Sequence, residues 1–292
     1  MDASSFFFAM SVAQAILPFA LCAALIPLER AFPRSAGEAA GAPRLSTNVL
    51  LGVIALTVNW SAALWLMHRL GGFGAAWAPF SLAASDLPAP LKFVLAFLAL
   101  DLMNYGVHVA SHKAGFLWRL HRIHHSDTHV DGATGLRHHP LEGLVGFLLM
   151  TPLYGLLGLP LGVIAIYGAV ASAHAALSHA NVALPPGLER ILRNVVITPD
   201  AHRVHHSRER ADFDRNYGQL FPFWDALFGT LKFRPAHELA KAPLGLAEMP
   251  GASQWPVLRL ALSSFSKTLT TAPDPVKSTA AAARKSGPRR RG

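Results

Sequence analysis

Fifteen histidines stand in 292 residues, and eight of them fall into a pattern. His121-Arg122-Ile123-His124-His125 is a His-x-x-His-His box, and His202-Arg203-Val204-His205-His206 is its near copy. His108 and His112 form a pair four residues apart just upstream. On a helix, residues three and four apart share a face, so each box is expected to aim three imidazoles in one direction. Neutral imidazole is the commonest side-chain metal ligand, binding zinc, iron, copper and nickel. One four-coordinate metal cannot use this many nitrogens, whereas two metals sharing the cluster can. His179, further along, is placed to reach the same membrane face. His139 and His174 read as further ligands or as partners that orient one, and His68, His129, His138 and His237 as surface or interfacial residues.

The rest of the composition narrows the chemistry. The zinc-protease His-Glu-x-x-His is absent, and the Glu-x-x-His pairs of carboxylate-rich di-iron bundles are not found on these helices. A histidine-only shell leaves iron or another redox metal able to activate O2. The single cysteine, Cys22, excludes an intramolecular disulfide and a cysteine-held cluster. The formal charge of +9 comes without basic-aromatic repeats or zinc-finger spacings, so no nucleic-acid partner is expected. Zinc or copper handling by a membrane transporter or sensor is the competing class, but the predicted spans hold almost no polar residue except Asp101.

The elements that must position these side chains are membrane helices. The chain is 52% hydrophobic and only 15% charged, against about 25% charged in a soluble domain. Residues 5–27 are long enough to span a bilayer, and read as a retained anchor because no positive charge precedes them. A second span covers 47–67, and a Gly-, Ala- and Pro-rich loop runs from Gly71 to Pro90. The third span, about Leu91 to Ala110, leads into the first histidines. Leu141 to Ser178 is apolar again but broken at Gly155–Pro160, which predicts a helical hairpin. All histidine boxes then lie on one side. Of the 26 Lys and Arg residues only Arg69 and Lys92 fall on the other, so the site is expected to face the cytoplasm. Trp255 to Phe265 is apolar enough to lie at the interface. The expected fold is all-α: a membrane bundle of about three spans plus a hairpin, under a cytoplasmic histidine-rich di-metal cap.

The ordered motifs resemble the fatty acid hydroxylase/sterol desaturase superfamily of integral membrane di-iron oxygenases. The resemblance runs from about Asp101 to Pro235. It rests on Asp101, Tyr105, His108 and His112, then Trp118 to Ser126 around the first box, and Arg137-His138-His139-Pro140-Leu141-Glu142. It continues through His179-Ala180-Asn181-Val182 and Thr198 to Ser207 around the second box. Asp214, Asn216-Tyr217-Gly218 and Trp224 to Thr230 complete it. The resemblance implies nine metal ligands: His108, His112, His121, His124, His125, His179, His202, His205 and His206. It implies that Arg137, Glu142, Asp214, Asn216 and Asp225 orient ligands or brace the scaffold, with helix capping and ion pairing as the plainer roles.

By the same resemblance the cofactors are two iron ions with O2 as co-substrate. The reaction is hydroxylation of a C–H bond in a membrane lipid, with a fatty-acyl or polar-lipid chain as substrate. Desaturation of a lipid or sterol-like substrate is the alternative, and a degenerate scaffold without turnover a further one. Electrons must come from an external reductase, ferredoxin or cytochrome. The implied domains are N-terminal transmembrane helices and linkers over 1–90 and a catalytic domain over 91–235. An interfacial C-terminal extension follows over 236–271, then a disordered basic tail over 272–292. The Ala-, Gly-, Pro- and Arg-rich usage matches a GC-rich bacterial genome, which places the chain in a bacterial inner membrane.

Overall fold

The computed structural model describes residues 3–35, 41–69 and 81–266, and among them the chain is helical with no strand, only two isolated bridges. The apolar runs become four long helices: α1 (Ala3–Ala31), α2 (Ala42–Arg69), α3 (Ala89–Lys113) and, after the shorter α5 (Glu142–Leu157), α6 (Leu161–His179). The amphipathic α4 (Gly115–His125) lies between α3 and α5. Stretches of 24, 21, 25 and 19 residues in the four long helices are apolar enough to cross a membrane, which makes this an integral membrane protein. The last of the four is the return limb of the predicted hairpin.

The hairpin's turn follows from its residues. Gly158 closes α5 with φ of +51°, the left-handed conformation glycine adopts most easily. A Cβ there would lie 2.6 Å from Ser81 Oγ and 2.7 Å from Ser81 Cα. Pro160 then opens α6. Small buried residues on α6, Ala165, Ala169 and Ala176, let neighbours approach closely. At Gly168 a Cβ would stand 2.7 Å from Gln14 Oε1 of α1.

Polar residues at the cap ends of α1 and α2 tie the bundle to the histidine segments. Glu29 accepts from the backbone N–H groups of Gly132 and Asn181, at 2.8 and 3.0 Å. Arg44, fully buried, bridges Asp127 and Asp131. Asn48 and Thr134 each donate to Asp127 Oδ2 at 3.0 Å. Removing one partner of a buried pair leaves the other charge uncompensated, at about 3–5 kcal/mol.

The C-terminal extension packs against this cap. Leu246, Met249, Ala252 and Leu260 form one core with Leu51 of α2 and with Trp118 and Ile123 of α4. The Arg122 guanidinium donates to the Ser263 carbonyl. The segment expected at the interface forms the short helix Val257–Ser263, in which Leu260 is buried while Leu258, Leu262 and, just beyond, Phe265 are exposed. The expected tail 272–292 and residues 71–80 of the expected loop lie outside the described residues.

Candidate metal centre

Four helix ends deliver the histidines. His108 and His112 occupy the last turns of α3. Ala114 is extended, and α4 starts at Gly115 to carry His121, His124 and His125. His179 is the last residue of α6. The short helix α7 (Pro186–Leu192) precedes α8 (Pro199–His205), which brings His202 and His205, with His206 as its C-cap. Thr198 starts α8 by accepting the Ala201 N–H at 3.2 Å, with Pro199 in the first turn.

These ends bring all nine histidines together, in two groups. Ligand nitrogens of His108, His112, His121, His125 and His205 lie within 4.8 Å of one another, and so do those of His124, His179, His202 and His206. In the second group His179 Nε2 is 2.9 Å from His202 Nε2, 3.0 Å from His124 Nε2 and 3.2 Å from His206 Nε2. The expectation that each box points one way is therefore corrected. Neighbouring residues on a helix diverge by about 100°, so His121 and His125 serve one group while His124 serves the other. The second box divides likewise, His205 from His202 and His206.

The hydrogen bonds fix the direction of four rings. A carbonyl can only accept, so Nδ1 is the donor from His108 to Tyr217 (2.8 Å), from His205 to Arg215 (2.8 Å) and from His179 to Ala175 (2.6 Å). His121 Nδ1 meets Glu142 Oε1 at 2.7 Å. Nε2 of each ring is left with a lone pair facing the group. Nε2 of His108 and His205 and both nitrogens of His112 are buried without a hydrogen-bond partner, which fits a metal as the missing partner. Burial, reinforced by neighbouring imidazoles, holds His124, His125, His202, His205 and His206 well below the usual histidine value. They are neutral, the form that ligates.

Residues 93–230 match the family described as fatty acid hydroxylase. That match and the relatives below support the fatty acid hydroxylase superfamily. Among curated relatives it is 35% identical to an ornithine lipid hydroxylase of Rhizobium tropici over 51% of its own length and 44% of that protein. It is 30% identical to the human alkylglycerol monooxygenase over 53% of its own length and 34% of that protein. It is also 30% identical to a very-long-chain aldehyde decarbonylase of Oryza sativa subsp. indica, over 54% and 26%. The chain thus spans less than half the length of these relatives. No solved structure matches it significantly.

Within the matched segment, one loop carries much of the support. Asp225 accepts the N–H groups of Tyr217 and Gly218, both at 2.8 Å, and the Thr230 hydroxyl at 2.6 Å. Asn216, at φ of +53°, donates to the carbonyls of Ala201 and Lys232, each at 2.7 Å. The loop whose carbonyls hold His108 and His205 is therefore pinned to α8. Asp214 accepts from Tyr217 Oη at 2.9 Å and pairs with Lys113 at 2.7 Å. Arg137 donates to the Ile123 carbonyl at 2.9 Å and to Ser126 Oγ at 3.0 Å, tying down the end of α4.

Two of the extra histidines stand apart. His139 belongs to neither group: its Nδ1 accepts from Leu141 N–H at 3.0 Å, and its ring faces Phe265. His174 belongs to neither as well. His138, read from the sequence as a surface or interfacial residue, is instead half-buried at the site. It stacks on His124 with ring centroids 4.6 Å apart, and its Nδ1 is 3.2 Å from Glu142 Oε2. Its place within Arg-His-His-Pro was the available signal. Sequence reasoning also missed Arg44, Asn48 and Asp127, whose pairing nothing in their spacing shows.

Proposed function

We propose that this chain is an O2-dependent di-iron oxidoreductase that hydroxylates a C–H bond of a membrane lipid, with a fatty-acyl or polar-lipid chain as substrate. The observation that carries the reading is the division of nine imidazoles into groups of five and four, each with nitrogens converging inside 4.8 Å. The names of the monooxygenase and hydroxylase relatives support oxygen insertion over desaturation. The two histidine groups would hold two irons, whose chemistry would supply the O2 activation that an unactivated C–H bond requires.

The chain's own residues do the rest. Backbone carbonyls of Ala175, Arg215 and Tyr217, with the Glu142 carboxylate, keep four rings turned inward. Trp118 and Tyr217, each 1% exposed, keep water from the first group, with rings 5.4 and 5.1 Å from His112. Because the groups sit where apolar helices end, a lipid chain reaches them laterally without crossing water. Electrons come from a separate reductase, ferredoxin or cytochrome. The excess of Lys and Arg on the histidine side supports a cytoplasmic orientation in a bacterial inner membrane.

Elemental analysis of the purified chain, paired with O2 uptake, tests the metal. Close to two irons per chain is expected, and zinc alone with no O2 consumption would point to metal handling instead. Mass spectrometry of lipids from a deletion strain tests the reaction: the missing species is expected to be one oxygen heavier than its precursor, whereas a missing species two hydrogens lighter would make it a desaturase. His124→Ala and His205→Ala, one from each group, are each expected to lose iron and abolish product. Full activity in either variant rejects this site.

A further inference from the structure

On the flank of α8 that carries Asp200 rather than the histidines, a cleft of about 240 Å³ opens between α7 and residues 233–236. Four arginines line it, Arg34, Arg190, Arg193 and Arg234, against two acids, Glu189 and Asp200. Arg34 is committed to Asp200 through a two-pronged bridge of 2.6 and 2.7 Å. Arg234 is held by Glu209, Asp212 and Glu238. Glu189 accepts from Thr198 at 2.7 Å.

Arg190 and Arg193 are different: among the described residues neither pairs with a carboxylate. The Arg193 guanidinium lies over the Phe233 ring, 4.7 Å from its centroid, and its Nε is buried without a partner. Stacking holds the planar fork in place before any ligand arrives. Beside the two arginines, Leu188, Ile191 and Val195 are exposed at 44%, 66% and 57%. This segment begins only a few residues after the membrane-spanning α6 ends at His179, which suits apolar side chains at the acyl boundary and guanidiniums at headgroup level.

We propose that this cleft binds the phosphate of an anionic lipid headgroup, with Arg190 and Arg193 donating charge-assisted hydrogen bonds. The site stands whether or not the reaction proposed above is correct, because none of its residues is a histidine of either group.

Native mass spectrometry of the full chain in neutral detergent tests it, with phosphatidylglycerol, phosphatidylcholine of the same chains and inorganic phosphate as probes. Phosphatidylglycerol is expected to bind more tightly than phosphatidylcholine. The double variant Arg190→Gln/Arg193→Gln is expected to weaken phosphatidylglycerol binding about tenfold while leaving phosphatidylcholine unchanged. Arg190 is exposed and holds no side-chain partner, so Arg190→Gln alone keeps the fold and is expected to show part of the loss. Equal affinity of wild type and both variants for phosphatidylglycerol overturns the site. Displacement of the lipid by an equal concentration of inorganic phosphate overturns the lipid assignment and leaves a free-phosphate site.

Discussion

Glu189 is a buried carboxyl whose effect on folding depends on pH. Burial pushes it up from 4.5 to about 7, so the folded chain holds a proton that the unfolded chain releases earlier. A raised carboxyl pKa gives stability that is fullest below the unfolded value and declines as pH rises through the folded one. Glu189→Gln keeps an acceptor for Thr198 and removes the ionisation. Its unfolding midpoint is expected to match wild type near pH 5 and to exceed it near pH 8, by an amount of order 1–3 kcal/mol. A wild-type advantage at pH 8 would contradict this. At this scale the nine clustered histidines were legible, since their types and intervals are local facts. Their partition was not. The interval of four within each box survives in the pairs His121/His125 and His202/His206, but the adjacent His-His step divides each box, and only the assembled helices reveal to which side. His138 escaped because stacking on His124 is a tertiary contact.

Helix ends are held here by charges that the chain sequence separates widely. Arg44 and Asp127 lie 83 residues apart and pair at exposures of 1% and 0%. Arg44→Met leaves Asp127 buried without its cation and is expected to destabilise the detergent-solubilised protein by about 3–5 kcal/mol, read by denaturant or thermal unfolding. Adding Asp127→Leu is expected to recover part of that loss, since a buried pair replaced by apolar residues often costs little. No recovery would mean that Asp127 supports the cap chiefly through Asn48 and Thr134. In the sequence Arg44 belonged to a polar link after the first span, with nothing to name its partner. The hairpin was legible because glycine and proline carry their meaning locally: Gly158 supplies the positive φ and Pro160 the new start.

The membrane bundle as a whole was also readable in advance, because hydropathy and span length are properties of composition over about twenty residues. Less legible was how the end of the chain closes over the site, since core residues such as Met249 and Leu260 carry no periodic signal that names Leu51 or Trp118 as neighbours. A second long-range closure centres on Asp101, twelve residues from either end of α3. Its carboxylate accepts from Tyr167 Oη at 2.9 Å, from the N–H groups of Leu220 and Phe221 at 3.2 and 3.3 Å, and from Trp224 Nε1 at 3.0 Å. Three of those four donors are encoded 119 to 123 residues later, a delay of order 10 s at ordinary rates of synthesis. Nascent chains stalled before Trp224 leaves the ribosome are expected to expose the histidine segments to protease, and longer ones to protect them. Equal protection at both lengths would sever that link. The third helix is thus expected to enter the bilayer with a carboxylate still waiting for its partners, and the site to mature in time with the ribosome rather than with membrane insertion.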